Sequence, residues 1–143
     1  MASRFSLTVA DIVPDLMAET VWDQLLADPA SGTAATFAEV DEPAEDLFVS
    51  SCGGMFTSAA NIALAKPQVL LVVVWQAHYR RASNLDVPVP KDVADAKAAA
   101  IKWAETIGQR LLAAEGTVEV PAGGGIEYDA PTADYTMTKL DRL

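Results

Sequence analysis

One cysteine and one histidine stand in 143 residues. Cys52 alone cannot form an intrachain disulfide, and small oxidised domains carry several cysteines, so a reducing compartment is expected. Cys52 and His78 together cannot build a Cys/His zinc site, and no Asp/Asn loop of the EF-hand kind is present. Nucleophilic catalysis would need a cysteine or serine beside a base. His78 is the sole histidine, and Cys52 falls on an apolar helical face, which reads as a packed thiol and a packed or interfacial imidazole. "CGG" and "AGGGI" lack the Lys-Ser/Thr of a phosphate loop. No metal, no cofactor and no catalytic set is expected, hence no enzyme. Long apolar runs are missing too. "VLLVVVW" (69–75) has seven residues, against roughly 20 for a membrane span. The opening "MASRFSLTVADIVPD" has no secretory leader. The expectation is a soluble chain with no membrane contact.

Basic residues are scarce where acids are dense. Net charge is −10; residues 1–50 hold ten acids and one base, Arg4, whereas residues 51–100 hold three acids and five bases. Such a chain is a poor candidate for wrapping DNA, which requires phosphate neutralisation. The acids read either as a solvated surface that aids solubility or as a face that DNA slides past. Arg80 and Arg81, with Lys91, make the one positive spot. They suit a helix C-terminus or a docking point for acids of a neighbouring copy.

An apolar fraction of 51% supports a core and excludes wholesale disorder. Much of it is alanine, which favours closely packed helices. Thr8 with Asp11 reads as a capping pair, Pro14 as the sign of a short turn and then the start of a first helix, and Leu16, Met17, Val21, Trp22 and Leu25 as its apolar face. "DPASG" stops it. Pro43 reads as a first-turn proline, with Glu42, Glu45 and Asp46 near the positive end of the helix dipole. Leu47, Phe48, Cys52, Met55, Phe56, Ala59, Ile62 and Ala63 form one stripe. Gly53 and Gly54 interrupt it, through a close helix approach, a kink or a division. Pro67 opens "PQVLLVVVWQAHYRRAS". Its valines suit a buried strand, but its unbroken length favours a central helix. Residues 84–90 form a stiff loop. The clearest helix runs from Pro90 or Lys91 to the C-cap Gly116, packing through Val93, Ala96, Ala100, Ile101, Ala104, Ile107, Leu111 and Leu112.

After Gly116, "TVEVP" alternates as a short strand, "AGGG" is a turn, and "IEYDAP" suits a partner strand. The fold class is therefore mainly α: a small helical bundle over residues 1–116, then a short β segment or hairpin and an extended arm over 117–143. The arm is too poor in apolar mass to fold alone and gains order by lying on another surface. Tyr128, Tyr135, Met137, Leu140 and Leu143 are spaced along it as anchors, with Lys139 among them.

Two segments resemble the Mu-like phage head–tail joining proteins. "VPKDVADAKAAAIKWAETIGQRLLAAEGTVEVP" is similar to that family's long penultimate helix and following strand, with Trp103, Ile107 and Gly116 carrying the likeness. "APTADYTMTKLDRL" is similar to its closing pattern through Tyr135, Lys139, Leu140 and Leu143. "LAKPQVLLVVVWQAHYRRA" resembles its central helix, and "FSLTVADIVPDL" its first. The resemblance implies an adaptor ring in the virion neck, assembled in the host cytoplasm. Its partners would be the portal protein, adjacent copies and a tail or stopper protein, with DNA passing through the ring unbound. Under that reading Asp41, Glu42, Glu45 and Asp46 face the channel. Two alternatives stand beside it. One is a tail terminator or tail-completion protein. The other is a small helical ligand-binding or regulatory module, with a pocket lined by Trp75, His78 and Trp103.

Overall fold

The computed structural model describes residues 3–28 and 32–116. The protein is mainly α; among the described residues all regular structure is helical. A 3₁₀ turn (Val9–Asp11) precedes α1 (Glu19–Leu26), α2 (Phe37–Cys52), α3 (Ala59–Leu85) and α4 (Lys91–Trp103). A π-helical turn (Ala104–Gly108) then leads into α5 (Gln109–Gly116). The chain divides into two units, Met1–Gln109 and Arg110–Leu143. The β segment and arm expected at 117–143 lie outside the described residues.

The Thr8–Asp11 pair forms as its spacing suggests: the Thr8 N–H donates to the Asp11 carboxylate at 2.8 Å. It caps one 3₁₀ turn, the short turn expected ahead of the first helix. The Ile12 carbonyl accepts from Leu16 and Met17, closing a turn around Pro14, while the Ile12 side chain is fully buried. The helix begins at Glu19, not near Pro14. From that start Trp22, Leu25 and Leu26 share the buried face, one i, i+3, i+4 set. Leu16 and Val21, expected on the face, are exposed.

Two prolines sit inside helices that their positions were expected to open. α2 starts at Phe37, where Thr36 Oγ1 accepts from the Glu39 N–H at 3.3 Å. Pro43 is seventh in that helix and exposed. Glu42, Glu45 and Asp46 are thus mid-helix, beyond the first turn in which the dipole favours acids; Glu39 holds that place. α3 starts at Ala59, where Ser58 Oγ accepts from Asn61, and it runs through Pro67 to Leu85. The valine run is helical, with Val69, Val72 and Val73 fully buried.

Gly53 and Gly54 divide the apolar stripe. Gly53 takes a left-handed φ of 92°, and its N–H donates to Val49 O at 3.0 Å. Such a conformation ends helices and favours glycine. Phe48, Cys52 and Phe56 stay buried, whereas Ala59 and Ala63 are exposed. α3 packs against α1, α2 and α4, and the π turn packs against α2.

The π turn changes which residues of the long helical run meet α2. Ala100, Ala104 and Gly108 are buried, while Ile107, expected on the packing face, is 42% exposed. A π turn takes an extra residue per turn and so brings Gly108 round in place of Ile107. A Cβ at Gly108 would lie 2.8 Å from Cys52 Sγ. The absent side chain is what lets the two elements touch. Gly108→Ala should lower the unfolding free energy by about 1–2 kcal/mol, because overpacking outweighs the better helix propensity of alanine. Urea unfolding would measure it. In a Cys52→Ala background the same change should be neutral or stabilising. If the loss persists there, the close approach is not its cause.

Candidate functional site

The six charged candidates within the described residues separate into two places. Asp41, Glu42, Glu45 and Asp46 lie on α2, whose row Val40, Ala44, Phe48 and Cys52 is buried. Asp41 and Glu45 each follow one residue behind that row and turn inward with it. Each is only 2% exposed, so neither is a surface acid, and a channel-facing place for them is corrected. Glu42 is half-buried. Asp46 is exposed, its side chain at 72%.

A segment with no expected role closes over the inward acids. The Arg4 backbone N–H donates to Glu45 Oε1 at 2.9 Å, and Arg4 Nε reaches the same oxygen at 3.2 Å. Ser3 Oγ donates to Glu45 Oε2. Arg4 Nη2 lies 2.6 Å from Asp46 Oδ1. Ser3 Oγ also accepts from the N–H groups of Phe5 (3.3 Å) and Leu7 (3.0 Å). Phe5 and Leu7 are buried, and the Phe5 ring lies 5.8 Å from Phe48. The sequence carried one signal of this arrangement: Arg4 is the sole base among ten acids.

Burial pushes the Asp41 carboxyl up to about 8. The hydrogen bond to Glu45 and the Glu45 charge add to the effect, and Arg4 partly opposes it. Asp41 therefore holds its proton at neutral pH and donates it toward the Glu45 carboxylate. Its Oδ1 has no hydrogen-bond partner.

Arg80 and Arg81 lie near the end of α3 and face α1 and the chain after it. Arg80 Nη1 donates to the Leu26 carbonyl at 3.5 Å, and Nη2 lies 4.0 Å from Asp28 Oδ2. Arg80 thus serves the C-terminus of α1, a different helix from its own. Arg81 lines a groove of about 450 Å³ with Gln24, Ala27, Asp28, Ala34 and Leu85.

The aromatic residues do not converge. Trp75 stacks on Tyr79 with centroids 4.9 Å apart, and Lys97 Nζ lies 4.3 Å over the Trp75 ring. Trp103 meets Phe48 edge-on at 6.0 Å. A second cavity, of about 160 Å³, is lined by Leu16, Leu71, Val74, Asp92, Val93 and Ala96. Neither cavity includes Trp75, His78 or Trp103 in its wall. Burial lowers the proton affinity of His78, against the pull of Asp92. Burial pushes the Cys52 thiol up to about 11, which keeps it protonated and a weak nucleophile. Among the described residues no group of three His, Cys, Asp or Glu side chains could hold a metal ion.

Tyr128, Tyr135, Met137, Lys139, Leu140 and Leu143 lie outside the described residues. No protein family matches this chain, and neither a curated protein nor a solved structure shows significant similarity to it.

Proposed function

We propose that this chain is a structural virion protein, an adaptor that forms a ring between portal and tail around the DNA channel, with no catalytic step. The observation that carries the reading is the uncovered length of α3. The helix has 27 residues, and its most apolar 18-residue window has a mean hydropathy of 1.3 with 22% of that window buried. Leu64 and Tyr79 are 58% and 48% exposed. By length and composition the helix could cross a membrane. Yet α1, α2 and α4 pack on it, and Lys66 pairs with Asp11 at 3.5 Å. We read it as a packing helix whose free apolar surface is covered by neighbouring copies and the portal.

We assign the tether to residues 117–143, with Tyr128, Tyr135, Met137, Leu140 and Leu143 as its anchors on the partner. With Asp41 and Glu45 inside, the charge that passing DNA meets comes from the exposed acids Asp15, Glu19, Asp23, Glu39 and Asp46. The resemblance of the sequence segments around Trp103, Ile107 and Gly116 to the head–tail joining proteins supports the same reading.

The test mixes portal rings of the parent virus with the full chain and with a chain lacking residues 126–143. Electron microscopy and sedimentation read the joining. The full chain should decorate the rings, and the shortened one should fail while keeping its helical circular dichroism. Normal joining by the shortened chain would remove the tether; no joining by the full chain would remove the adaptor reading.

A further inference from the structure

Two carboxyl groups one helical turn apart are buried with a single base beside them, and the chain's first described residues form their lid. Ser3 and Arg4 bring a hydroxyl, a backbone N–H and a guanidinium onto Glu45. Asp41 receives none of these, and one of its oxygens has no partner at all. Lifting residues 3–7 would let water reach that oxygen. We propose that residues 3–7 are a proton-controlled strap, closed over α2 while Asp41 holds its proton beside Glu45 and released when that proton passes to solvent.

The charged surroundings are few. On α2 the pair is joined by Glu42 and Asp46, and from the strap by Arg4. The buried residues of α3 that pack toward the core are Ala65, Val69, Val72, Val73 and Ala77, all apolar. The charges of α3 are engaged elsewhere, Lys66 on Asp11 and Arg80 on Asp28; Arg81 lines the groove beside α1. The π turn contributes buried Ala104 and Gly108 to its packing on α2, and its one acid, Glu105, is exposed. No base besides Arg4 offsets a second charge on the pair. Closing the strap desolvates the pair, which raises the proton affinity of Asp41 by more than the Arg4 charge lowers it, so by linkage proton loss opens the strap. Opening also exposes Phe5 and Leu7 and uncovers the Phe48 ring, so the device would switch an apolar surface. It does not depend on the neck assignment.

Amide hydrogen exchange by NMR on the full chain tests it. The Arg4 N–H donates to Glu45 and the Leu7 N–H to Ser3 Oγ, so both report the closed strap. Their protection factors should fall by up to roughly tenfold per pH unit as the pH rises toward about 8. The Val73 amide, inside α3, should stay protected, which separates strap opening from global unfolding. Asp41→Asn keeps a donor toward Glu45 and cannot lose a proton, so its strap protection should be flat with pH. The ¹³C signal of the Asp41 carboxyl in the parent protein gives a second reading that needs no variant. Its midpoint should coincide with the loss of protection. A carboxyl titrating in the ordinary range, flat protection in the parent, or the same fall in Asp41→Asn would each overturn the proposal.

Discussion

Phe48→Ala should lower the unfolding free energy by about 3–5 kcal/mol, the range for removing a buried phenylalanine ring. Phe48 is fully buried. Its ring meets Phe5 at 5.8 Å on one side and the edge of Trp103 at 6.0 Å on the other. Each such pair adds about 0.5–1.5 kcal/mol beyond area burial. Both neighbours are held from behind. Phe5 belongs to the segment bonded to Glu45 through Ser3 and Arg4, and Trp103 leads into the π turn that packs on α2. Neither can move far to fill the hole, so the cavity remains open and the loss lies toward the upper end. Domains of ordinary stability hold about 5–15 kcal/mol in total, so the variant would unfold early in urea. Phe48→Leu should cost less than half as much. A loss below about 1 kcal/mol for Phe48→Ala would mean that this aromatic seam does not join the N-terminal segment, α2 and α4.

The helical class was readable wherever length and punctuation agreed. Pro90 and Gly116 bracket an alanine-rich run, and α4, the π turn and α5 fill that interval. The valine run was assigned by its unbroken length, and α3 contains it. Pro43 and Pro67 misled, because proline suits a first turn but is tolerated deeper where its side faces solvent. The better signals stood upstream. Thr36 followed by Glu39 is the capping spacing, and Ser58 caps α3. Once α2 is started at Phe37, the spacing of Val40, Ala44, Phe48 and Cys52 places Asp41 and Glu45 beside the core row. The acid pair was therefore latent in the sequence, hidden by the wrong helix start. The exchange of Ile107 for Gly108 was not. A π turn is set by what it gains against α2, and no residue in "AETIG" announces it.

Asp41→Asn should remove a pH dependence of stability from the parent protein. In the unfolded chain Asp41 loses its proton around 3.8; in the folded protein it does so at about 8. Between those values the folded state binds the extra proton, so stability falls as pH rises, by about 1.4 kcal/mol per unit for one proton. The contribution is fully present below the unfolded value and lost by the time the folded value is passed. His78 works in the opposite sense. Burial lowers its folded value below 6.5, so the unfolded chain takes the proton first and stability rises with pH up to that point. From pH 6.5 to 8 the His78 contribution changes by only about 0.4 kcal/mol, equally in parent and variant, and the Asp41 slope separates them. Urea unfolding across that interval should show the parent losing about 1.5 kcal/mol relative to Asp41→Asn, with the variant the more stable of the two at pH 8. The asparagine amide still donates toward Glu45, so the comparison isolates the proton from the hydrogen bond. Parallel curves for parent and variant would show that Asp41 carries its charge inside the fold. The buried pair would then have to be balanced by Arg4 alone, and the orphaned oxygen would have no explanation in a shared proton.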